Sequence, residues 1–373
     1  MTALLRVEWR RMWSRRLPWI ITIIVAGVMA FAGVSTFVTS DPTPPTVADQ
    51  AEQIERDVAM CREGSIQEWD AWNAGDPFIT GDPGYDEWMA QFDSGEALAD
   101  ENCNPAYFGY YVEDPRFCLV SLYEPDVQWR QACPDLEDVE NSEWSPGQIE
   151  IDGVIHLTPH PPATGAVPSA ALGLLGVAAV LGASFIGAEY SAGTIETLLL
   201  WEPRRRRVLS AKVVVAAVVA FVLLIGLLAF LTAVLVPAGV WRGSTAGADA
   251  AFWRGLGGVI ARTGLAGAGV AAIALSISAI ARHTVAGVVA FLGYIALSPA
   301  LVNTILRGFR PFDLTENLGA FIGGGEVGRW VSYNGYYEQV VAHGVLGAGF
   351  VILGYVAVFV AAGLFVFNRR DVD

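Results

Sequence analysis

The 373-residue chain is 53% hydrophobic and only 16% charged, with a mean hydropathy of +0.43 and a formal net charge of −15. That balance excludes an ordinary soluble domain, and no nucleic-acid partner is expected. Six apolar runs approach the roughly 20 residues that cross a bilayer, which makes the expected class an all-α polytopic membrane protein.

Residues 1–17 come first. Leu5, Trp9, Met12 and Trp13 share one helical face while Arg6, Arg10 and Arg11 turn away, the pattern of an amphipathic helix lying in the headgroup plane. An alternative reading is a cleaved signal peptide, with an arginine-rich start, an apolar stretch from Ile20 and the small-residue site Ala30-Phe31-Ala32. The first span is expected at 18–38, with a stiff Ser40-Asp41-Pro42-Thr43-Pro44-Pro45 exit.

The segment 39–165 has a different character. Val47, Ala51, Ile54, Val58 and Cys61 recur at steps of four and three, which predicts a helix with one apolar seam. Beyond residue 74, turn signals and aromatic residues dominate, among them Asp76-Pro77, Asp82-Pro83-Gly84, Trp88, Tyr107, Trp129 and Trp144. All four cysteines, Cys61, Cys103, Cys118 and Cys133, fall here. They read as two disulfides in an oxidising compartment, with three pairings open. The expectation is a disulfide-stapled extracellular domain, α+β or irregular. Asp82, Asp86 and Glu87 lack calcium-loop spacing. His156 and His160 have prolines about them and no further ligand, so they read as a loop entering the second span. No metal is expected at either place.

Further spans are expected at 166–187, 213–236, 263–280, 284–306 and 344–367, the fourth starting as early as Leu256. Pro299 should kink the fifth, and Gly173, Gly176, Gly182, Gly264 and Gly287 allow close helix approach. Between the fifth and sixth spans, 307–343 reads as one or two short external helices broken at Gly323-Gly324-Gly325. Phe321, Trp330, Tyr333, Tyr336 and Tyr337 would form an aromatic belt there, the alternative being that they line an exit from the membrane. Residues 188–212 form a loop and 368–373 a tail. With both termini cytoplasmic, the inner segments carry 13 of the 23 Lys and Arg in a small fraction of the chain, as the positive-inside rule requires.

Chemistry-bearing motifs are missing. Lys212 is the one lysine, flanked by Ala211 and Val213, so no Gly-Lys-Ser/Thr phosphate loop exists. No nucleophile elbow or His-Glu-x-x-His pair occurs. Only Glu189 and Arg262 approach the bilayer among ionisable groups; a charge at its centre costs at least ~2.5–3.5 kcal/mol, which ion-coupled carriers accept to build a relay. Energy for any transport should therefore come from another subunit.

The informative stretch is EYSAGTIETLLLWEPRRRR, residues 189–207. Gly193-Thr194 starts a short helix; Ile195, Leu198 and Leu199 share a face; Pro203 ends it and Arg204–Arg207 follow. Topology explains the arginines. It does not explain an amphipathic helix placed before them, which suits a membrane surface or a groove on a partner.

Glu189, Gly193-Thr194, Leu198-Leu199-Leu200, Pro203-Arg204 and Lys212 together resemble the cytoplasmic loop of ABC-2-type transporter permeases. The six-span layout and the amphipathic N-terminal helix resemble the same family. The resemblance implies that the loop touches a separate ABC ATPase subunit, which binds the ATP. It implies a second permease copy or paralogue, a bacterial cytoplasmic membrane and an exporter without its own cofactor. Partner contact would fall on Glu189, Gly193, Thr194, Leu198, Leu199 and Arg204. The long segment 39–165 departs from members with a short first outer loop. A rival reading is a membrane receptor or assembly factor acting through that segment.

Overall fold

The computed structural model describes residues 2–44, 47–75, 83–103, 116–123, 133, 148–151, 154–157, 165–201, 204–333 and 336–369. In chain order, α1 (Thr2–Ser14) and α2 (Arg16–Thr39) are separated by Arg15 alone. The helices α3 (Val47–Asn73), α4 (Pro83–Met89) and α5 (Gly95–Asn102) follow, then β1 (Phe117–Cys118) and the antiparallel pair β2 (Gln148–Ile151) and β3 (Val154–Leu157). Next come α6 (Ala166–Ser191), α7 (Thr194–Trp201), α8 (Arg205–Arg242), β4 (Gly243–Ser244), α9 (Ala250–Ala281) and α10 (Thr284–Thr304). The chain closes with α11 (Leu314–Gly323), the hairpin β5 (Val327–Tyr333) and β6 (Tyr336–His343), and α12 (Val345–Arg369).

Six helices, α2, α6, α8, α9, α10 and α12, are long and apolar enough to cross a membrane. They do not share the burial equally. In the most apolar window of α6 and of α9, 67% of residues are buried, against 17% in α2 and α12 and 22% in α10. The pair α6–α9 is therefore the centre, with the other spans ranged around it. Glycine makes that centre possible: a Cβ on Gly182 of α6 would fall on the backbone carbonyl of Ala271 in α9. Close backbone approach of this kind is what drives helix association where lipid tails remove any hydrophobic difference.

Two spans outrun their apolar cores. The expected run 263–280 is one part of α9, which starts at Ala250 because the Asp249 side chain accepts from the amides of Ala251 (2.8 Å) and Phe252 (2.9 Å). Such a cap satisfies the free donors of a helix start. The expected run 213–236 lies inside α8, which begins among the arginines at Arg205 and carries Lys212 in its third turn. Pro299 stands inside α10 as the sequence suggests.

The segment between the first two spans is held by the pairs Cys61–Cys103 and Cys118–Cys133. The first joins α3 to the residue after α5, and Arg62 adds ion pairs to Glu96 and Asp100 across the same interface. The second lies against the bundle. Cys118, Leu119, Val120 and Leu122 join the core formed by Val167, Leu235, Phe252 and Leu256, and β1 pairs in parallel with β4. His156 belongs to strand β3, opposite Ile149, and not to a loop. His160, Tyr107, Trp129 and Trp144 lie outside the described residues.

The segment 307–343 also differs from expectation. A short 3-10 helix (Arg307–Phe312) and one α-helix, α11, capped by Asp313 and ended by Gly324 at φ +86°, end at the glycine break the sequence marks, but 327–343 then forms a hairpin and not helix. The cap Asp313 and Leu314, Asn317 and Leu318 of α11 are buried. Asp313 accepts from Tyr294 Oη at 2.7 Å, and Asn317 Oδ1 meets His343 Nε2 at 2.8 Å. Burial holds the His343 imidazole below its ordinary pKa of 6.5.

Candidate functional site

The end of the bundle opposite the disulfides gathers α1, the end of α6, α7, the start of α8 and the turn between α9 and α10. Met12, Phe185, Ile186, Ile195, Leu209, Ala279 and Phe367 form one apolar cluster there. It is the basic end: Arg6, Arg10, Arg11 and Arg16 are exposed on one side and Arg204, Arg206 and Arg207 on the other.

The turn into α7 is set by Gly193, whose φ of +64° is strained for a side chain bearing Cβ. Its amide donates to the Tyr190 carbonyl and that of Ala192 to Ala188, closing α6. α7 then runs eight residues with two unlike sides. Ile195 and Leu198 (8% exposed) are buried against their own bundle, whereas Thr194 and Thr197 face outward and Leu200 is 85% exposed. The side chain of Leu199 lies outside the described residues, as does Pro203.

Glu189 does not project from this end. It is 5% exposed, in the last turn of α6, where a negative charge opposes the helix dipole and needs cations. Two supply them. Lys212 Nζ donates to Glu189 Oε1 at 2.8 Å, and Arg15 Nη2 to the same oxygen at 3.0 Å. Lys212 also donates to Glu8 Oε2 at 2.7 Å, and Arg11 stands 3.6 Å from Glu8 Oε1. Arg15 Nη1 spans the carbonyls of Ser184 and Phe185 at 3.1 Å each. The Phe185 ring completes the pocket, 4.8 Å from the Lys212 ammonium and 5.2 Å from the Arg15 guanidinium carbon. Lys212 and Glu8 are fully buried.

The structure thus brings together Glu189 and Lys212 from the residues the sequence singled out. It turns Glu189 and Leu198 inward, and leaves Thr194 and Arg204 on the outside. Two members of the cluster, Glu8 and Arg15, escaped the sequence reading. Their signals were present: Glu8 is the one carboxylate in the first 40 residues, and Arg15 is the one residue between two helices. Lys212, assigned to the loop, is instead a buried helical residue, the one lysine beside 22 arginines. A compact ammonium fits between two carboxylates where a planar five-donor fork would not.

Among the described residues no group of three His, Cys, Asp or Glu is placed to hold a metal. The arrangement offers no nucleophile and no acid–base pair facing solvent. What it offers is mechanical: a small two-sided helix between two spans, locked at its base by charge.

A search of curated proteins and one of solved structures gave no match. A family model described as ABC-2 family transporter protein matches residues 2–372. That match takes in α1, all six spans and the α6–α7–α8 junction. The chain belongs to the ABC-2 family of transporter proteins.

Proposed function

We propose that this chain is the permease subunit of an ABC exporter, driven by a separate ATP-hydrolysing subunit that docks on the outward side of α7. The bundle then sits in a bacterial cytoplasmic membrane with both termini in the cytoplasm, and a second permease copy or paralogue completes the pathway. Arginine density at the α1–α7 end and disulfides at the other support this orientation, because basic segments stay inside and disulfides persist outside.

One observation carries the proposal: Leu200 is 85% exposed at the tip of a helix whose opposite side is anchored in the bundle. An apolar side chain held out beside threonines and arginines fits a groove on a protein, entered by a short helix. The contact set is Thr194, Thr197, Leu200 and Arg204, with Gly193 shaping the approach. Glu189 and Leu198 support it from behind. ATP-driven closure of two docked subunits would push α7, and the rigid spans would carry that push to the interface between permeases.

The test is Leu200→Asp. This substitution faces outward and leaves the buried side of α7 intact, so folding should be unaffected while the ATPase subunit is lost on co-purification. Retention of the ATPase at wild-type stoichiometry, with ATP-dependent flux unchanged, overturns the proposal.

A further inference from the structure

An amphipathic helix that merely rests on a membrane needs an apolar stripe and a basic face; α1 has both, and also a carboxylate that faces neither lipid nor water. Glu8 is fully buried, 2.7 Å from Lys212, 204 residues away in sequence. Arg15, at the joint between α1 and α2, reaches across to α6 and holds both its backbone and Glu189. Glu189 and Lys212 are the two feet of the α7 loop, and their own hydrogen bond of 2.8 Å ties them together. Met12 of α1 and Ile195 of α7 are buried in the same apolar cluster. Every foot of the loop is therefore fastened to the N-terminal segment as well as to the other foot.

Stability alone does not account for this choice of residues. Taking charges out of water is costly, and a buried ion pair is commonly no better than well-packed apolar residues of the same size. The cluster is also incompletely satisfied: Glu8 Oε1 and Glu189 Oε2 have no hydrogen-bond partner. What charge adds is a short, directional link that fixes one helix against another in a single register.

Resting on the coupling role proposed for α7, we infer that α1 is a moving part of the coupling unit, and that Glu8 and Arg15 are positioning residues through which a push on α7 reaches the first span. The block α1–Arg15–α7–α8 start would move together against the turn between α9 and α10. The first span, the least buried with α12, is then an output of the stroke and not a passive anchor.

Spin-label distances in the assembled complex test this in lipid vesicles. No free cysteine occurs among the described residues, so labels can be placed at Arg10→Cys on α1, Ser191→Cys at the head of the loop, and His283→Cys as the reference. All three positions are exposed. On addition of ATP and vanadate, both Arg10–His283 and Ser191–His283 should shift, while Arg10–Ser191 stays constant. In the paired variant Glu8→Leu with Lys212→Met, which leaves Glu189 and Arg15 to each other, Ser191–His283 should still shift and the Arg10–His283 shift should be lost. A clamp with only a structural role predicts that both shifts survive in the paired variant, and that result overturns the inference. So does a fixed Arg10–His283 distance in the otherwise unaltered chain while Ser191 moves, a readout that needs no loss of the charge pair. If Ser191 itself does not respond to nucleotide, the coupling role of α7 fails, and the inference falls with it.

Discussion

Lys212 concentrates the physics of the molecule in one side chain. Its ammonium has three protons; two go to Glu8 and Glu189, and the Phe185 ring takes the remaining face. Removing one partner of a buried ion pair leaves the others uncompensated and costs about 3–5 kcal/mol. Lys212→Ala should therefore lower unfolding free energy by about that amount, read by chemical denaturation in detergent, and Lys212→Arg should not restore it. Wild-type stability in Lys212→Ala would remove the cluster from the account. His343 gives a pH signature at the other end of the bundle. Its folded pKa lies below 6.5 because burial disfavours the charged ring. Above about 6.5 both folded and unfolded forms are neutral and stability is flat; as pH falls further, the unfolded chain takes up the proton first and stability drops until the folded value is passed. Thermal midpoints measured between pH 8 and pH 5 should show this loss in the wild type and less of it in His343→Gln. At this scale the sequence displayed the types of residue but not their pairings. Nothing local links Glu8 to a lysine 204 positions on, and only tertiary packing joins them.

At the scale of elements, hydropathy located the spans because a long apolar run has few alternatives. It could not locate their ends: the Arg205–Arg207 run and residues 250–262 lie outside the greasiest sections yet are helical, and at Asp249 a side-chain cap and not hydropathy sets the start. The hairpin β5–β6 was also legible. Asn334-Gly335 stands between two stretches of β-branched and aromatic residues, a strong short-range hairpin signal, and Asp152-Gly153 stands in the same way between β2 and β3. Reading the stretch 327–343 as helical gave that signal too little weight. Helix contact supplies a sharper prediction. Gly182→Val places bulk against the Ala271 backbone at the α6–α9 contact and should cost at least about 1–3 kcal/mol, seen as a fall in folded yield by size exclusion. Gly173→Val, on the same helix with no atom within 4 Å of the added Cβ, should behave as wild type. Equal yields for the two would show that α6 and α9 do not meet as described.

For the whole molecule, two unlike ends are joined by one bundle. The stretch around the Cys118–Cys133 disulfide is docked on α6, α8 and α9 through Leu119, Val120 and Leu122, so this part of the segment is continuous with the core of the central spans. At the other end, charge and a buried apolar cluster fasten α1 and the α7 loop to the same helices. The family was legible in the sequence through the loop between the second and third spans. Which side of α7 faces a partner was not, because Leu198, Leu199 and Leu200 are indistinguishable until the helix is docked; packing then buries Leu198 and leaves Leu200 out.

The decisive measurement is the composition of the complex extracted from its native membrane, by mass, for the wild type and for Leu200→Asp side by side. A wild-type chain accompanied by an ATP-hydrolysing subunit, and a folded Leu200→Asp chain without one, is the predicted outcome. A wild-type chain that transports while accompanied by no such subunit, or a Leu200→Asp chain that keeps its full complement, would contradict it.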